Sequence, residues 1–214
     1  QFSFSEDGRT ITGTPPDVAA VMLEALGADI IGINCSLGPE QLTDLIRQMA
    51  AVTNLPLICQ PNAGMPVLIN KQTVFPLSAD EMGPLMLPIV DAGATYIGAC
   101  CGSTPEHIAR ISEAVKAHTP AERPHVEPFT AITSRTKLVR LGHSEKPLII
   151  GERINPTGRK VLAQELRDGS FIRVKRDALE QVEAGADILD VNMGVAGMDQ
   201  TPLMERAIFE LSSL

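Results

Sequence analysis

Tyr96-Ile97-Gly98-Ala99-Cys100-Cys101-Gly102 is an apolar run that ends in two adjacent thiols, and far upstream Ile33-Asn34-Cys35 closes a second run in the same way. Each run reads as a buried strand, and a helix-start signal follows each one. That signal is Ser36-Leu37-Gly38-Pro39-Glu40 after the first and Ser103-Thr104-Pro105-Glu106 after the second. Strand ends that face the same way bring Cys35, Cys100 and Cys101 together. Three thiolates suit a tetrahedral zinc ion and leave its fourth position open for a substrate. An incoming thiol bound there is favoured as the thiolate. The residues alone leave two other readings open. Free cysteines are often core residues, and two of these could form a disulfide, although four cysteines in 214 residues do not resemble a secreted disulfide scaffold. Cys59, one residue before Gln60-Pro61-Asn62, reads as buried core, because a fourth thiolate would close the metal site.

Working outward, one design recurs three times. Glu24-Ala25-Leu26-Gly27-Ala28-Asp29-Ile30, Asp91-Ala92-Gly93-Ala94-Thr95-Tyr96-Ile97 and Glu183-Ala184-Gly185-Ala186-Asp187-Ile188-Leu189 each close a helix with glycine and then enter an apolar strand. Strands predicted at Asp29–Asn34, Leu55–Gln60, Thr95–Cys100, Leu148–Gly151 and Ile188–Val191 alternate with helices. They lack in/out alternation, so they belong to a parallel sheet covered by helices. Polar motifs at successive strand ends make a (β/α)8 barrel the expected fold, with a doubly wound sheet as runner-up. No GxGxxG or Walker-type phosphate loop is present.

Other expectations are local. Phe2–Phe4 and Thr10–Thr12 read as extended, and Thr14 reads as the cap of a helix opened by Pro15-Pro16-Asp17. Helices are expected over Pro39–Val52, from Ser78 with an interruption at Pro84 and Pro88, over Pro105–His118, from about Phe171 to Glu183, and from Thr201-Pro202. Met65–Leu77 reads as a loop long enough to lie across a site. Pro120, Pro124 and Pro128 mark residues 119–146 as a linker, with Thr136–Leu141 a short strand or helix within it.

Composition narrows the function. The chain is 44% hydrophobic with 3% aromatics and no Trp, so its core must be aliphatic. A net charge of -8 argues against a nucleic-acid partner and fits a soluble cytoplasmic protein. No apolar run reaches the roughly 18 residues of a membrane span, so no membrane partner is expected. Gln1 opens no signal peptide and is not a start methionine, so the chain is expected to be cut from something longer.

Asn34-Cys35 and Gly98-Ala99-Cys100-Cys101-Gly102-Ser103 resemble the two zinc motifs of the homocysteine S-methyltransferase family. Gly8-Arg9-Thr10-Ile11-Thr12-Gly13-Thr14 and Pro61-Asn62-Ala63-Gly64-Met65-Pro66 resemble it too, in the order the family uses. Ala99 departs from the pattern, which has a second glycine there, and removes no ligand. The resemblance implies zinc on Cys35, Cys100 and Cys101, with homocysteine as substrate. Asn34 and Asn62 would hold its amino-acid end.

A second pair of strand-end motifs, Gly151-Glu152-Arg153-Ile154-Asn155 and Asp190-Val191-Asn192-Met193-Gly194, could turn amide and carboxylate edges toward a flat heterocycle. The alternative is a structural ion pair among Glu152, Arg153 and Asp190. These motifs resemble the first two strands of the pterin-binding domains of methionine synthases, corrinoid methyltransferases and dihydropteroate synthases. On that resemblance Asn155, Asp190 and Asn192 lie near the folate.

A zinc–thiolate domain followed by a pterin domain resembles the start of cobalamin-dependent methionine synthases. It implies two consecutive (β/α)8 barrels, each partly contained. Residues 1–118 would be the C-terminal half of the zinc and homocysteine barrel, 119–146 the linker, and 147–214 the N-terminal part of the methyltetrahydrofolate barrel. Cobalamin would sit on a downstream domain or a separate protein, consistent with the lack of a DxHxxG signature here. Holding only part of each barrel, the segment is expected to be inactive alone. A cobalamin-independent thiol methyltransferase and a non-catalytic zinc module are the rival readings.

Overall fold

Why the cysteines meet follows from a short parallel sheet. The computed structural model describes residues 1–143, 145–212 and 214. Two compact units divide the chain: Gln1–Phe129 with Thr133–Leu138, and Thr130–Ile132 with Val139–Leu214.

In the first unit the elements run α1 (Pro16–Ala25), β1 (Ile31–Asn34), α2 (Pro39–Ala50), β2 (Leu57–Gln60), β3 (Val67–Ile69), β4 (Gln72–Val74), α3 (Ala79–Leu85), α4 (Leu87–Asp91), β5 (Ala94–Ile97) and α5 (Pro105–Lys116). The sheet order is β1-β2-β5, parallel throughout, with Ile33 opposite Cys59 and Cys59 opposite Ile97. Phe2 adds a single parallel bridge to Ile33 on the free side of β1. The expected strands at Phe2–Phe4 and Thr10–Thr12 are otherwise absent, because backbone bonds from Ser5 to Arg9 and from Thr10 to Thr14 close that segment into turns. Thr14 does not cap α1 either. Pro15 occupies the cap position, and Asp17 Oδ1 instead accepts from Val18 N–H at 2.8 Å.

The helices cover the sheet through apolar stripes. Leu42, Leu45, Ile46 and Met49 repeat at helical spacing on α2 and are all buried. They join Ile31, Ile33, Leu57, Met82, Met86, Ile89 and Ile111 in one aliphatic core, where each fully buried side chain stabilises by about 1.5–3 kcal/mol. The proline-interrupted helix breaks as expected. Met86 is the last cap of α3 and the first of α4, and Pro84 and Pro88 flank it. Ser78 opens α3 with a reciprocal box: Glu81 N–H donates to Ser78 Oγ, and Ser78 N–H donates to Glu81 Oε2 at 3.0 Å.

Met65–Leu77 is more ordered than a loop. β3 and β4 pair antiparallel, Val67 with Val74 and Ile69 with Gln72, around Asn70 and Lys71, which both take positive φ. Two consecutive left-handed residues are what a two-residue hairpin turn needs.

Residues 119–146 also carry structure. β6 (Thr130–Thr133) and β7 (Leu138–Leu141) form a two-stranded sheet. Ser144, within the expected linker, and Ser213 lie outside the described residues.

The second unit continues with β8 (Ile150–Ile154), α6 (Lys160–Arg167), α7 (Ile172–Glu183), β9 (Ile188–Val191) and α8 (Gln200–Leu211). β8 and β9 are parallel, with an irregularity between Gly151 and Ile154. α6 was not expected from the sequence. Its Leu162 and Leu166 pack with Ile154, Phe171, Val174, Met193 and Leu203 in a separate core. Asp199, not Thr201, caps α8, accepting from Thr201 N–H at 3.0 Å. The three glycines of the repeated design, Gly27, Gly93 and Gly185, all follow helix ends with positive φ. Among the described residues no helix is long and apolar enough to cross a membrane. The chain is thus mixed α/β with parallel sheets.

Candidate metal centre

Each cysteine reaches the site because a strand delivers it there. Cys35 follows β1 directly, and its N–H donates to Gln60 O at 2.9 Å, one step beyond the last β1–β2 pair. Past β5, Cys100 N–H donates to Pro61 O at 2.7 Å, so the chain after β5 is tied to the chain after β2. Ala63 N–H donates to Cys101 O at 2.9 Å, completing the tie. The end of the parallel ladder therefore extends into three interlocked turns, and the sulfurs lie where they cross.

The result is compact. Cys35 Sγ lies 3.5 Å from Cys101 Sγ, and Cys100 Sγ lies 3.8 Å from Cys101 Sγ. All three sulfurs fall within 4.8 Å of one another. Tetrahedral zinc with Zn–S bonds of about 2.3 Å would hold thiolates roughly 3.8 Å apart, so the spacing fits. No disulfide joins any of the four cysteines. Cys59 is fully buried in the core, away from this group, and burial pushes its thiol up to about 12.

The electrostatics fit a cation as well. Ser36 N–H, opposed by partial burial and aided by Cys101, Cys100 and Asn62, draws the Cys35 thiol below its ordinary value. Cys101 is pushed up to about 11 by its hydrogen-bond contacts with the Cys35 and Cys100 sulfurs, with burial and the charge of those two thiols adding to the rise. Negative charge crowded onto neighbouring sulfurs needs a cation to balance it.

Asn34 and Asn62 both turn toward the thiols. Asn34 Oδ1 lies 3.9 Å from Cys100 Sγ. Asn62 is buried, and its Oδ1 accepts from Cys101 N–H at 3.2 Å.

Three features of the site were not anticipated. Cys35 and Ser36 are consecutive non-glycine residues with positive φ, 67° and 65°, a conformation that costs about 1–2 kcal/mol per residue and gathers at functional sites. Phe75, carried by the β3–β4 hairpin, lies against Gly102, whose φ is +79°; a Cβ at that position would overlap the Phe75 side chain. Buried His107 joins the same region. Its Nδ1 accepts from Thr104 N–H at 3.2 Å, which leaves Nε2–H to donate to Leu77 O at 3.0 Å. The sequence did hold a signal for the last, in Thr104-x-x-His107, where the histidine takes the place of the usual capping-box acid.

In the second unit Ile154 pairs with Val191, and Asn192 N–H donates to Ile154 O at 2.8 Å, so Asn155 and Asn192 stand at neighbouring strand ends. Asn155 Nδ2 donates to Glu152 Oε1 at 2.7 Å, and its Oδ1 accepts from Thr157 N–H. Asn192 Oδ1 accepts from Gly194 N–H, and Asp190 is exposed. The alternative ion pair among Glu152, Arg153 and Asp190 does not form among the described residues. Arg153 instead faces Asp177, with Nε 4.0 Å from Oδ1.

The chain is similar to known proteins. Methionine synthase of Mycobacterium leprae (strain TN) is 30% identical over 195 residues, covering 89% of this chain and 16% of that protein. Methionine synthase of Mycobacterium tuberculosis (strain ATCC 25618 / H37Rv) is 30% identical over 194 residues, 90% of this chain and 16% of that protein. The chain thus spans about a sixth of the length of these curated relatives. The solved structure of the homocysteine methyltransferase MmuM from Escherichia coli, in its oxidized form, shares 28% identity, covers 52% of this chain and 35% of its own, and has a TM-score of 0.40. Residues 1–115, over half of the chain, match homocysteine S-methyltransferase. The chain belongs to the homocysteine S-methyltransferase family.

Proposed function

We propose that this chain is part of a methionine synthase that methylates homocysteine. In this reading residues 1–118 are the C-terminal half of a (β/α)8 barrel, 119–146 a linker, and 147–214 the N-terminal part of a second barrel that binds methyltetrahydrofolate. The observation that carries the reading is the convergence of Cys35, Cys100 and Cys101 from separate turns to within 4.8 Å. A sheet whose strands lie in chain order, β1-β2-β5 with Phe2 on the outside of β1, supports a barrel sector over a doubly wound sheet, in which the order reverses.

Cys35, Cys100 and Cys101 would hold zinc and leave one tetrahedral position for homocysteine sulfur. Bound zinc would supply the positive charge that keeps that sulfur a thiolate at neutral pH. Asn34 and Asn62 border the thiols and would contact the amino-acid end of the substrate. Asn62 also fixes the Cys101 main chain, and the Ser36 N–H adds a donor to the Cys35 sulfur. Asn155, Asp190 and Asn192 would meet the pterin at the strand ends of the second unit. Cobalamin, carried by another module, would ferry the methyl group between folate and thiol.

The competing assignment is a cobalamin-independent transfer from a betaine or sulfonium donor. Alignment to methionine synthases over 89% and 90% of the chain extends beyond residue 115, where the family match ends, and favours the two-module reading. The test is methionine formation from homocysteine by the intact protein, with methylcobalamin as donor. Cys35→Ser, Cys100→Ser and Cys101→Ser should each lower the rate at least a hundredfold. Turnover with a sulfonium or betaine donor and none with methylcobalamin would favour the competitor.

A further inference from the structure

Behind the loop that follows β8 lies a carboxylate shut off from solvent. Asp177, on α7, is completely buried. Arg159 Nη1 lies 2.7 Å from its Oδ2, while Arg153 and Arg176 stand farther off, at 4.0 and 3.8 Å from Oδ1. Among the described residues neither carboxylate oxygen receives a well-aligned N–H, so charge rather than a directed hydrogen bond holds the group.

What this charge anchors is visible in the main chain of Arg153. The β8–β9 ladder is irregular between Gly151 and Ile154, which leaves Arg153 without regular pairing. Side chains take over. Gln181 Oε1 accepts from Arg153 N–H at 2.7 Å, and Gln181 Nε2 donates to Asp177 O at 3.0 Å. Arg159, braced against Asp177, donates to Arg153 O. Both polar groups of one strand residue are thus held by side chains, Gln181 on α7 and Arg159 braced against α7. Irregularities of this kind re-aim side chains beside functional sites. Here the neighbours on either side are Glu152 and, beyond Ile154, Asn155, which bond to each other at 2.7 Å.

Packing holds this loop at Ile154 and Pro156, which are buried, but not at its far end. A Cβ at Gly158 would meet no atom within 4 Å, and Arg159 borders a cavity of about 440 Å³ with Gly158, Lys160 and Arg173. We propose that Asp177 is a positioning residue for the pterin edge: through Arg159 it fixes the Arg153–Arg159 loop and so sets the orientation of Glu152 and Asn155. The proposal rests on the reading of this unit as pterin-binding.

Titration of the intact protein with methyltetrahydrofolate, followed by calorimetry, tests it. Asp177→Asn and Arg159→Met should each weaken binding at least tenfold. The double variant, which removes both charges and leaves neither unpaired, should bind no more weakly than either single change. Arg159→Lys should recover part of the loss. Glu165→Gln, which breaks the Arg173–Glu165 pair (2.8 Å) between α6 and α7, should bind as the parent does. Should a single variant fail to fold, the double variant and Arg159→Lys decide. Folded double variant and Arg159→Lys proteins that both bind within twofold of the parent would overturn the proposal. So would Glu165→Gln losing as much as Asp177→Asn. A parent protein that binds no methyltetrahydrofolate would instead overturn the pterin reading itself.

Discussion

At Cys35 and Ser36 the chain adopts a backbone that most residues avoid. Glycine would sit there more cheaply, but at position 35 it would remove one of the three converging sulfurs. Gly102 shows the reverse economy. Its φ of +79° and the Phe75 side chain resting on it leave no room for a Cβ. Gly102→Ala should therefore lower stability by about 2 kcal/mol or more, combining the left-handed backbone cost with displacement of Phe75. Thermal unfolding of the two proteins would measure this, and an unchanged midpoint would refute it. The cysteines were legible in the sequence because strand-ending thiols followed by helix caps state where the chain must turn. Phe75 was not legible, since its place depends on a hairpin far from Gly102 in the chain.

Among elements, those with strong periodicity or proline punctuation could be read directly. Leu42, Leu45, Ile46 and Met49 mark the buried face of α2, and Pro84 and Pro88 mark the break between α3 and α4. The β3–β4 hairpin escaped notice because Asn70-Lys71 lacks the glycine that usually signals such a turn. α6 escaped because the glycine and polar residues around it mask a short stripe of Leu162 and Leu166. α7 and α8 are joined by an ion pair that makes a prediction about pH. Lys175 Nζ lies 2.7 Å from Glu210 Oε2, and this bond, with Arg206 assisting against burial, holds the Glu210 carboxyl below its usual value. A lowered folded value means the contribution is complete above the ordinary glutamate value of about 4.3 and is lost as pH falls through the folded one. The stability difference between the parent and Glu210→Gln should thus be full near neutrality and vanish in strong acid, as denaturant unfolding across pH would record. A difference that grows on acidification would contradict the assignment.

On the scale of the whole molecule, two aliphatic cores that share no residue organise the chain, one around β1, β2 and β5 and the other around β8 and β9. The alternation of strand and helix announced this α/β character, and the run of prolines announced a change after α5. Of the small β6–β7 sheet, β7 falls within the short element expected at Thr136–Leu141, while β6 was harder to foresee because Thr130–Thr133 carries little apolar signal. Arg153 shows the same difficulty within the second unit: Asp177, its partner, lies on a distant helix and looks like an ordinary surface acid in sequence. What the first unit builds is a place where three sulfurs meet at the end of a sheet, and the function proposed for it requires a metal that can accept one more. X-ray absorption at the zinc edge, on the intact protein before and after addition of homocysteine, tests this most directly. The account predicts three sulfur neighbours at about 2.3 Å rising to four with homocysteine, and loss of zinc in Cys101→Ser. Zinc that keeps the same sulfur count on adding homocysteine, or that stays fully bound without Cys101, would contradict it.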